Sequence, residues 1–587
     1  MLDVTLTSRF EPGTNLKGNV PSADWAYLLP GRELEHVLCI GRFEAAALRT
    51  LATTAAHVMV MGPTSDSDQA LPASVDARIS RLDASPLLDR SPLNLPDASV
   101  NLVAVAPDAA RWFNHDWFRA EILRLLKPDG CVYLATDGAG QQSGSEHASR
   151  LADTYTNAVS FRVVPDRAGH VRAAFPAQHH VAEQYFQKHR LDIAKRAGGW
   201  KRVLSRLIPS FARRRPAQHH ALLLSPSAEL CCDPPQYLRT IAAQCGVDLA
   251  GYQWGFTAHG GYSSRKVVFF LFPPGETQLK YVAKLPRSAE HNARLENEHR
   301  ALSALDEASV DLNGAVPKPA FFGSHGQLTV LGQTAIHGRP FAAATTWAAD
   351  CAVARSVLET LTRLGASTTS LAISGEVADS MRSLYEKFQA VYRLTGRQQA
   401  FLKSQIDQLA TGLSLPTVFQ HGDPGTWNVL VTTAGNPALL DWEAAETRGV
   451  PLWDLFYFLR SYGVGAARAA GAGNNLKACH RHFIAGSQLS GMIRDAVAQY
   501  CEAIAVPPIL VGPLFYSCWM HRALKEATRL SPATLSRGHY VTLLKMFIDE
   551  RQSPALRNLD GGRGVRAAAL RPAAKTNEIS LLPTCPT

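Results

Sequence analysis

Phe419-Gln420-His421-Gly422-Asp423-Pro424-Gly425-Thr426-Trp427-Asn428-Val429-Leu430-Val431 runs into a turn-rich stretch containing Gly435 and Pro437. It resumes as Leu439-Leu440-Asp441-Trp442-Glu443. Asp423 and Asn428 fall on a loop that leaves an apolar run, Val418-Phe419. Val429-Leu430-Val431 is a predicted strand and Ala438-Leu439-Leu440 its hairpin partner, so Asp441 returns to the end of the hairpin at which Asn428 begins. A carboxylate able to accept a hydroxyl proton, with an amide and a second carboxylate offering oxygens to a hard cation, is what metal-assisted phosphoryl transfer requires. Turn caps and a strand-ending Asp are the plainer use of the same residues.

The three-part pattern His421-Gly422-Asp423-x4-Asn428 followed by Asp441-Trp442-Glu443 resembles the signature of the aminoglycoside phosphotransferase and choline kinase family. That resemblance implies a two-lobed, protein-kinase-like α+β domain acting on small molecules with ATP and Mg²⁺. It makes Asp423 the catalytic residue, positioning the acceptor hydroxyl and taking its proton late. Asn428 and Asp441 become the metal ligands, with Glu443 supporting the metal through water and His421 bracing the loop.

The rest of such a domain lies upstream in the right order. Thr257-Ala258-His259-Gly260-Gly261-Tyr262 precedes the strand-like run Val267-Val268-Phe269-Phe270-Leu271-Phe272. A Gly260-Gly261 turn lets backbone N–H groups approach phosphates, although the pair serves equally as an ordinary hairpin turn. Lys280-Tyr281-Val282-Ala283-Lys284-Leu285 resembles the kinase strand whose Lys meets the α- and β-phosphates. On the predicted helix Arg294 to Leu305, Glu298 stands where the family pairs a Glu with that Lys, and Glu296 is a near rival. Leu328-Thr329-Val330-Leu331-Gly332-Gln333 resembles the inter-lobe strand and hinge, which places Gln333 among the nucleotide-binding residues by order. ATP is thus expected between a small lobe (about 236–332) and a larger helical lobe (about 333–555).

Asp454 opens an apolar helix and reads as structural, either bracing the catalytic loop or favouring a helix first turn. Trp427 and Trp442 read as packing residues in preference to a cleft lining. The acceptor is not legible. From Gly465 to Arg494 there are Arg468, Lys477, Arg481 and Arg494 but no acid, which argues against a polycationic antibiotic.

At 587 residues the chain is expected to hold two or three domains, and a composition of 46% hydrophobic and 19% charged residues suits a globular protein. No apolar run approaches the roughly eighteen residues of a membrane span. The N-terminus, with Asp3, does not read as a signal peptide. Ten scattered cysteines, without a C-x-x-C, suit a reducing cytoplasm.

Apolar runs at His36–Gly41, His57–Met61, Val100–Val105 and Cys131–Ala135 alternate with helical segments. They predict a doubly wound parallel α/β sheet. Leu95-Pro96-Asp97-Ala98-Ser99-Val100 and Leu126-Lys127-Pro128-Asp129-Gly130 resemble late motifs of class I S-adenosylmethionine-dependent methyltransferases. Cys39 stands where that family carries an acid, and Gly41-Arg42-Phe43-Glu44 lacks its later glycines. A degenerate methyltransferase-like domain is therefore expected over 1–190, with S-adenosylmethionine binding doubtful.

Residues 191–235 read as a linker. From Ile193 to Ala228 it carries Lys195, Arg196, Lys201, Arg202, Arg206, Arg213, Arg214 and Arg215 without an acid, against a net charge of +10 for the chain. Its helical spacing of Trp200, Val203, Leu204, Leu207 and Phe211 suits docking on a neighbouring domain or peripheral contact with an anionic membrane. No nucleic-acid-binding motif is present. The kinase-like domain is expected over 236–555 and a disordered tail over 556–587, with oligomeric state open. A small-molecule kinase is the reading carried forward, against a bifunctional methyltransferase-kinase or a nucleotide-binding pseudokinase scaffold.

Overall fold

A computed structural model describes residues 22–559 apart from 32–33, 63–76, 137–154, 156, 167–168, 191–218, 227–229, 259–265, 311, 313–315, 372–375 and 410–414. Most of the basic linker, the Gly260-Gly261 turn and nearly all of the expected tail therefore lie outside the described residues. Contacts divide the chain into two compact units. One is Met1–Pro340 with Trp427–Ala445, the other Phe341–Thr426 with Glu446–Thr587.

The first unit is built on one thirteen-stranded sheet. Strands β1 (Leu34–Ile40), β2 (Ala55–Met61), β3 (Ile79–Arg81), β4 (Val100–Val105) and β5 (Leu126–Thr136) lie parallel in the order β3-β2-β1-β4-β5. Side chains alternate between two cores, Val37 and Cys39 entering one, Leu38 and Ile40 the other. Burial on both faces is why these strands read as continuous apolar runs. Helices Ala45–Thr54 and Asp116–Leu125 supply crossovers.

Beyond β5 the sheet turns antiparallel. β6 (Asn157–Pro165), β7 (Val171–Pro176) and β8 (His219–Ser225) extend it in the order β5-β8-β6-β7. β7 then pairs with β9 (Gln253–Ala258) through Ala173↔Thr257 and Ala174↔Phe256. From β9 the antiparallel series runs through β10 (Val267–Phe272), β11 (Tyr281–Leu285) and β13 (Leu328–Thr334) to β12 (Pro319–His325). The α/β part and the expected small lobe are thus one sheet, and one core runs from Val37 and Leu102 to Phe269 and Val330.

The join depends on Gly255. A Cβ there would lie 2.4 Å from Phe186 Cε2, 2.8 Å from Phe175 Cβ and 2.9 Å from the Ala174 carbonyl oxygen. A second tie comes from the segment Asp24–Leu28. Trp25 stacks on Tyr133 at 4.0 Å, Asp24 pairs with Arg287 at 2.9 Å, and the Tyr27 hydroxyl donates to the Pro286 carbonyl at 3.0 Å.

The second unit is mainly helical, with Ala352–Ser367, Trp453–Ala469, Gln488–Ile504, Val511–Ala527 and His539–Asp549 as principal helices. Strand Pro416–Gln420 pairs with Glu446–Gly449 and delivers the chain to His421. Among the described residues, no helix is long and apolar enough to cross a membrane.

Candidate active site

In the first unit, strands Val429–Thr432 and Pro437–Leu439 form the expected hairpin, with Val429 opposite Leu439. Leu440 N–H donates to the Asn428 carbonyl at 2.8 Å, so the hairpin closes with Asn428 beside the residue preceding Asp441. Asp441 adopts a left-handed backbone, φ 70°. Asp tolerates that conformation better than most residues, and local strain of this kind gathers at functional sites.

Lys284, on β11, meets Glu298 of helix Asn292–Glu307 at 2.5 Å, with Glu298 fully buried. Glu296, the sequence rival, instead accepts from the Thr329 hydroxyl at 3.3 Å. Asn297 anchors the segment after Asp441 by donating to the carbonyls of Glu443 (3.1 Å) and Ala445 (2.9 Å). Trp442 is buried, its indole N–H on the Leu439 carbonyl at 3.0 Å, so it packs as expected. Trp427 is 40% exposed, which does not fit the packing expectation for it.

Lys266 enters this cluster unforeseen. Its ammonium ion-pairs with Asp441, lies 2.8 Å from Glu443 Oε2, and is 3.5 Å from Glu298 Oε2. Burial works against the charge, but Asp441, Glu298 and Glu443 outweigh it and hold the ammonium protonated well above the ordinary lysine range. A Lys between Arg265 and a strand gives no distinctive signal in sequence.

In the second unit, Gly422 (φ 75°) lets the chain turn sharply between His421 and Asp423. Asp454, at the start of helix Trp453–Ala469, accepts from His421 N–H at 2.6 Å and from Gly422 N–H at 3.0 Å. Asp454 thus braces the loop. Burial raises its carboxyl above the usual range, against the pull of His421, Arg522 and the two N–H groups. His421 is fully buried and its Nδ1 accepts from Asp423 N–H at 3.2 Å.

A partner of this loop, and a second cation near it, escaped the sequence reading. Arg522, buried on helix Val511–Ala527, donates to the Gly422 carbonyl at 2.8 Å and approaches Asp423 Oδ1 to 3.5 Å. Its guanidinium lies 3.4 Å above the Tyr457 ring. An Arg two positions beyond the apolar run Phe515-Tyr516-Ser517-Cys518-Trp519-Met520 was the available signal, because charged residues are rarely buried without a partner. Lys525, one turn on, is pushed down by burial and by Arg522.

Gln333 sits on β13 opposite Val282 of β11, 4% exposed, and its Oε1 has no hydrogen-bond partner. For a magnesium ion arriving with ATP, the Asp441 carboxylate and Asn428 amide are suitable hard oxygen donors, since Mg²⁺ is held by one or two carboxylates plus phosphates. Glu443 Oε2, 2.8 Å from the Lys266 ammonium, adds a further carboxylate oxygen in the same place.

The doubly wound half has its strand reversal between β1 and β4, where such sheets bind ligands. At that reversal the backbone of Gly41 is closely crowded. A Cβ on Gly41 would lie 2.6 Å from Asp108 Oδ1 and 2.9 Å from the Cβ atoms of Ala106 and Ala109. Asp108 also accepts from Arg42 N–H at 3.1 Å.

Residues 257–482 match the sequence profile of a phosphotransferase enzyme family, whose members phosphorylate hydroxyl groups of small molecules. No curated protein matches the chain. Among solved structures, the aminoglycoside phosphotransferase of Streptomyces rimosus in complex with ADP and streptomycin is 18% identical, covering 48% of this chain and 97% of its own, with a TM-score of 0.27. That of Alicyclobacillus acidocaldarius is 14% identical over 54% and 92%, TM-score 0.31. A Plasmodium vivax ethanolamine kinase is 10% identical over 53% and 84%, TM-score 0.30.

Proposed function

We infer that this chain, whose residues 257–482 carry the phosphotransferase-family domain, transfers the γ-phosphate of ATP to a hydroxyl of a small molecule. The observation that carries the reading is the buried Lys284–Glu298 pair set beside Asp441 in a stretch with the family's sequence profile.

Lys284, fixed by Glu298, orients the α- and β-phosphates. Gly260 and Gly261 would offer backbone N–H groups to them, and Gln333 would meet the adenine. Asn428 and Asp441 would hold Mg²⁺, which when bound neutralises charge developing on the transferred phosphoryl group. Asp423 positions the acceptor hydroxyl and takes its proton late in the transfer. Asp454 and His421 keep the Asp423 loop in shape, and Arg522 limits the swing of its carboxylate. ADP and a phosphomonoester are the products. The acceptor is a sugar, an amino-alcohol or an aminoglycoside-like molecule. Arg522 and Lys525 near Asp423 disfavour a polycation there.

The order β3-β2-β1-β4-β5 supports a methyltransferase-like origin for the N-terminal half. With Asp108, Ala106 and Ala109 crowding Gly41 at the strand reversal, that half acts as a scaffold to which β9 is hydrogen-bonded.

A screen of sugars, amino-alcohols and aminoglycosides for acceptor-dependent ADP release tests the reading. Asp423→Asn and Asp441→Ala should each lose at least about 10²-fold in turnover, with ATP affinity kept in Asp423→Asn. Wild-type ADP release no higher than that of Asp423→Asn for every acceptor would remove the enzyme reading and leave a pseudokinase scaffold. Titration calorimetry with S-adenosylmethionine checks the scaffold, and saturable heat would restore the bifunctional alternative.

A further inference from the structure

We propose that Lys266 is a resident cation of the divalent-metal seat. It holds Asp441 and Glu443 together before nucleotide arrives, competes with free metal, and passes to the phosphates once the metal enters with ATP. The proposal rests on the reading of Asp441 as a metal ligand.

The charges define the seat. Two ammonium groups, Lys266 and Lys284, face three carboxylates, Glu298, Asp441 and Glu443, all within the first unit. The two lysines are not equivalent. Lys284 is committed to Glu298 at 2.5 Å and reaches Asp441 only at 4.0 Å. Lys266 is committed to Asp441 and Glu443, with Glu298 more distant at 3.5 Å. Its ammonium therefore stands where a divalent ion bound to Asp441 would be supported by Glu443.

A partly buried ammonium shared by these carboxylates offsets their mutual repulsion. The same ammonium excludes a second cation from Asp441. Free Mg²⁺ brings two positive charges and no compensating anion, so it meets Lys266 as a competitor. Mg²⁺ carried by ATP brings the phosphates with it, and an ammonium leaving Asp441 finds anionic oxygens close by. The seat thereby favours the metal–nucleotide complex over bare metal. Lys266 immediately precedes β10, Val267–Phe272.

Mn²⁺ binding to nucleotide-free protein, followed by electron paramagnetic resonance, tests this without any turnover. Lys266→Gln should bind Mn²⁺ at least tenfold more tightly than wild type and bind ATP more weakly, while Lys266→Arg stays near wild type. Unchanged or weaker Mn²⁺ binding by Lys266→Gln overturns the proposal, whether or not an acceptor is ever found. If Lys266→Gln does not fold, amine-labelling mass spectrometry on wild type replaces it. Saturating Mn²⁺ without nucleotide should then raise Lys266 labelling severalfold while leaving that of Lys284 unchanged. No rise in Lys266 labelling overturns the idea.

Discussion

Arg522 and Asp423 stand 3.5 Å apart, Nη1 to Oδ1, and the same guanidinium donates from Nη2 to the Gly422 carbonyl at 2.8 Å. One buried side chain on a distant helix thus grips both the backbone and the carboxylate of the loop proposed to orient the acceptor. Its planar fork makes the two contacts at once while stacking on Tyr457, and an ammonium has no equivalent shape.

Arg522→Lys should therefore keep the charge and lose the geometry. Turnover is expected to fall on the order of 10²-fold, the usual consequence of misplacing a catalytic group by about 1 Å, with KM for ATP little changed. Steady-state kinetics at saturating acceptor check this, and a thermal melt confirms that the variant is folded. A change confined to KM for ATP would contradict a role at the Asp423 loop.

Gln333 gives a prediction with two opposed readouts. Its buried Oε1 has no partner, which costs about 1–3 kcal/mol in an otherwise satisfied strand. The adenine amino group is a donor of the kind that would satisfy it, whereas guanine presents an acceptor at that edge. Gln333→Leu should leave the melting temperature unchanged or raised, yet increase KM for ATP about tenfold, the size of a single net hydrogen bond. Preference for ATP over GTP should shrink by a similar factor. Unaltered nucleotide preference would mean that Gln333 only fills space.

His539 links stability to pH. Burial, followed by the nearby Arg460 and Arg468 charges, pushes its imidazole down to about 3, and the neutral ring accepts a hydrogen bond from Arg460. The folded state thus binds fewer protons than the unfolded state, whose histidine titrates near 6.5. Stability is fully present above that value and is lost as pH falls from about 6.5 towards 3. The slope approaches one proton, about 1.4 kcal/mol per pH unit. His539→Gln keeps an acceptor and cannot titrate. Urea unfolding of both proteins at pH 7 and pH 5 should therefore show a smaller loss for the variant.

Local structure was legible in the sequence. The hairpin that joins Asn428 to Asp441 shows in its turn residues between two apolar runs, and β1, β2, β4 and β5 show because burial on both faces makes them continuously apolar. β3 escaped because none of its three residues is buried. Lys266 and Arg522 escaped for a different reason. Each acts across more than ninety residues of sequence, and neither spacing nor periodicity carries such a pairing. The same limit hid the junction of the α/β part with the expected small lobe. β7 and β9 are each plausible as edge strands, and nothing within either segment says that they pair.

That junction supports the last prediction. β9 is hydrogen-bonded to β10 on one side and to β7 on the other, so the expected small lobe has no free edge there. Gly255 is the position that permits the close approach. Of the three atoms an added Cβ would strike, the Ala174 carbonyl belongs to the partner strand, and the Phe186 ring is itself stacked on Phe175 at 5.5 Å. None of the three is the free end of a flexible chain, so relief requires β7 to move. Gly255→Ala should destabilise the protein by about 1–3 kcal/mol, as overpacking does. Removing residues 1–176 should go further by exposing the β9 edge to pairing between molecules. Thermal melts with light scattering distinguish the two variants. The glycine variant should melt early but remain dispersed, whereas the truncated chain should aggregate below its melting temperature. A truncated chain that stays monomeric and melts like the full protein would show that the doubly wound half contributes nothing to the lobe it is joined to.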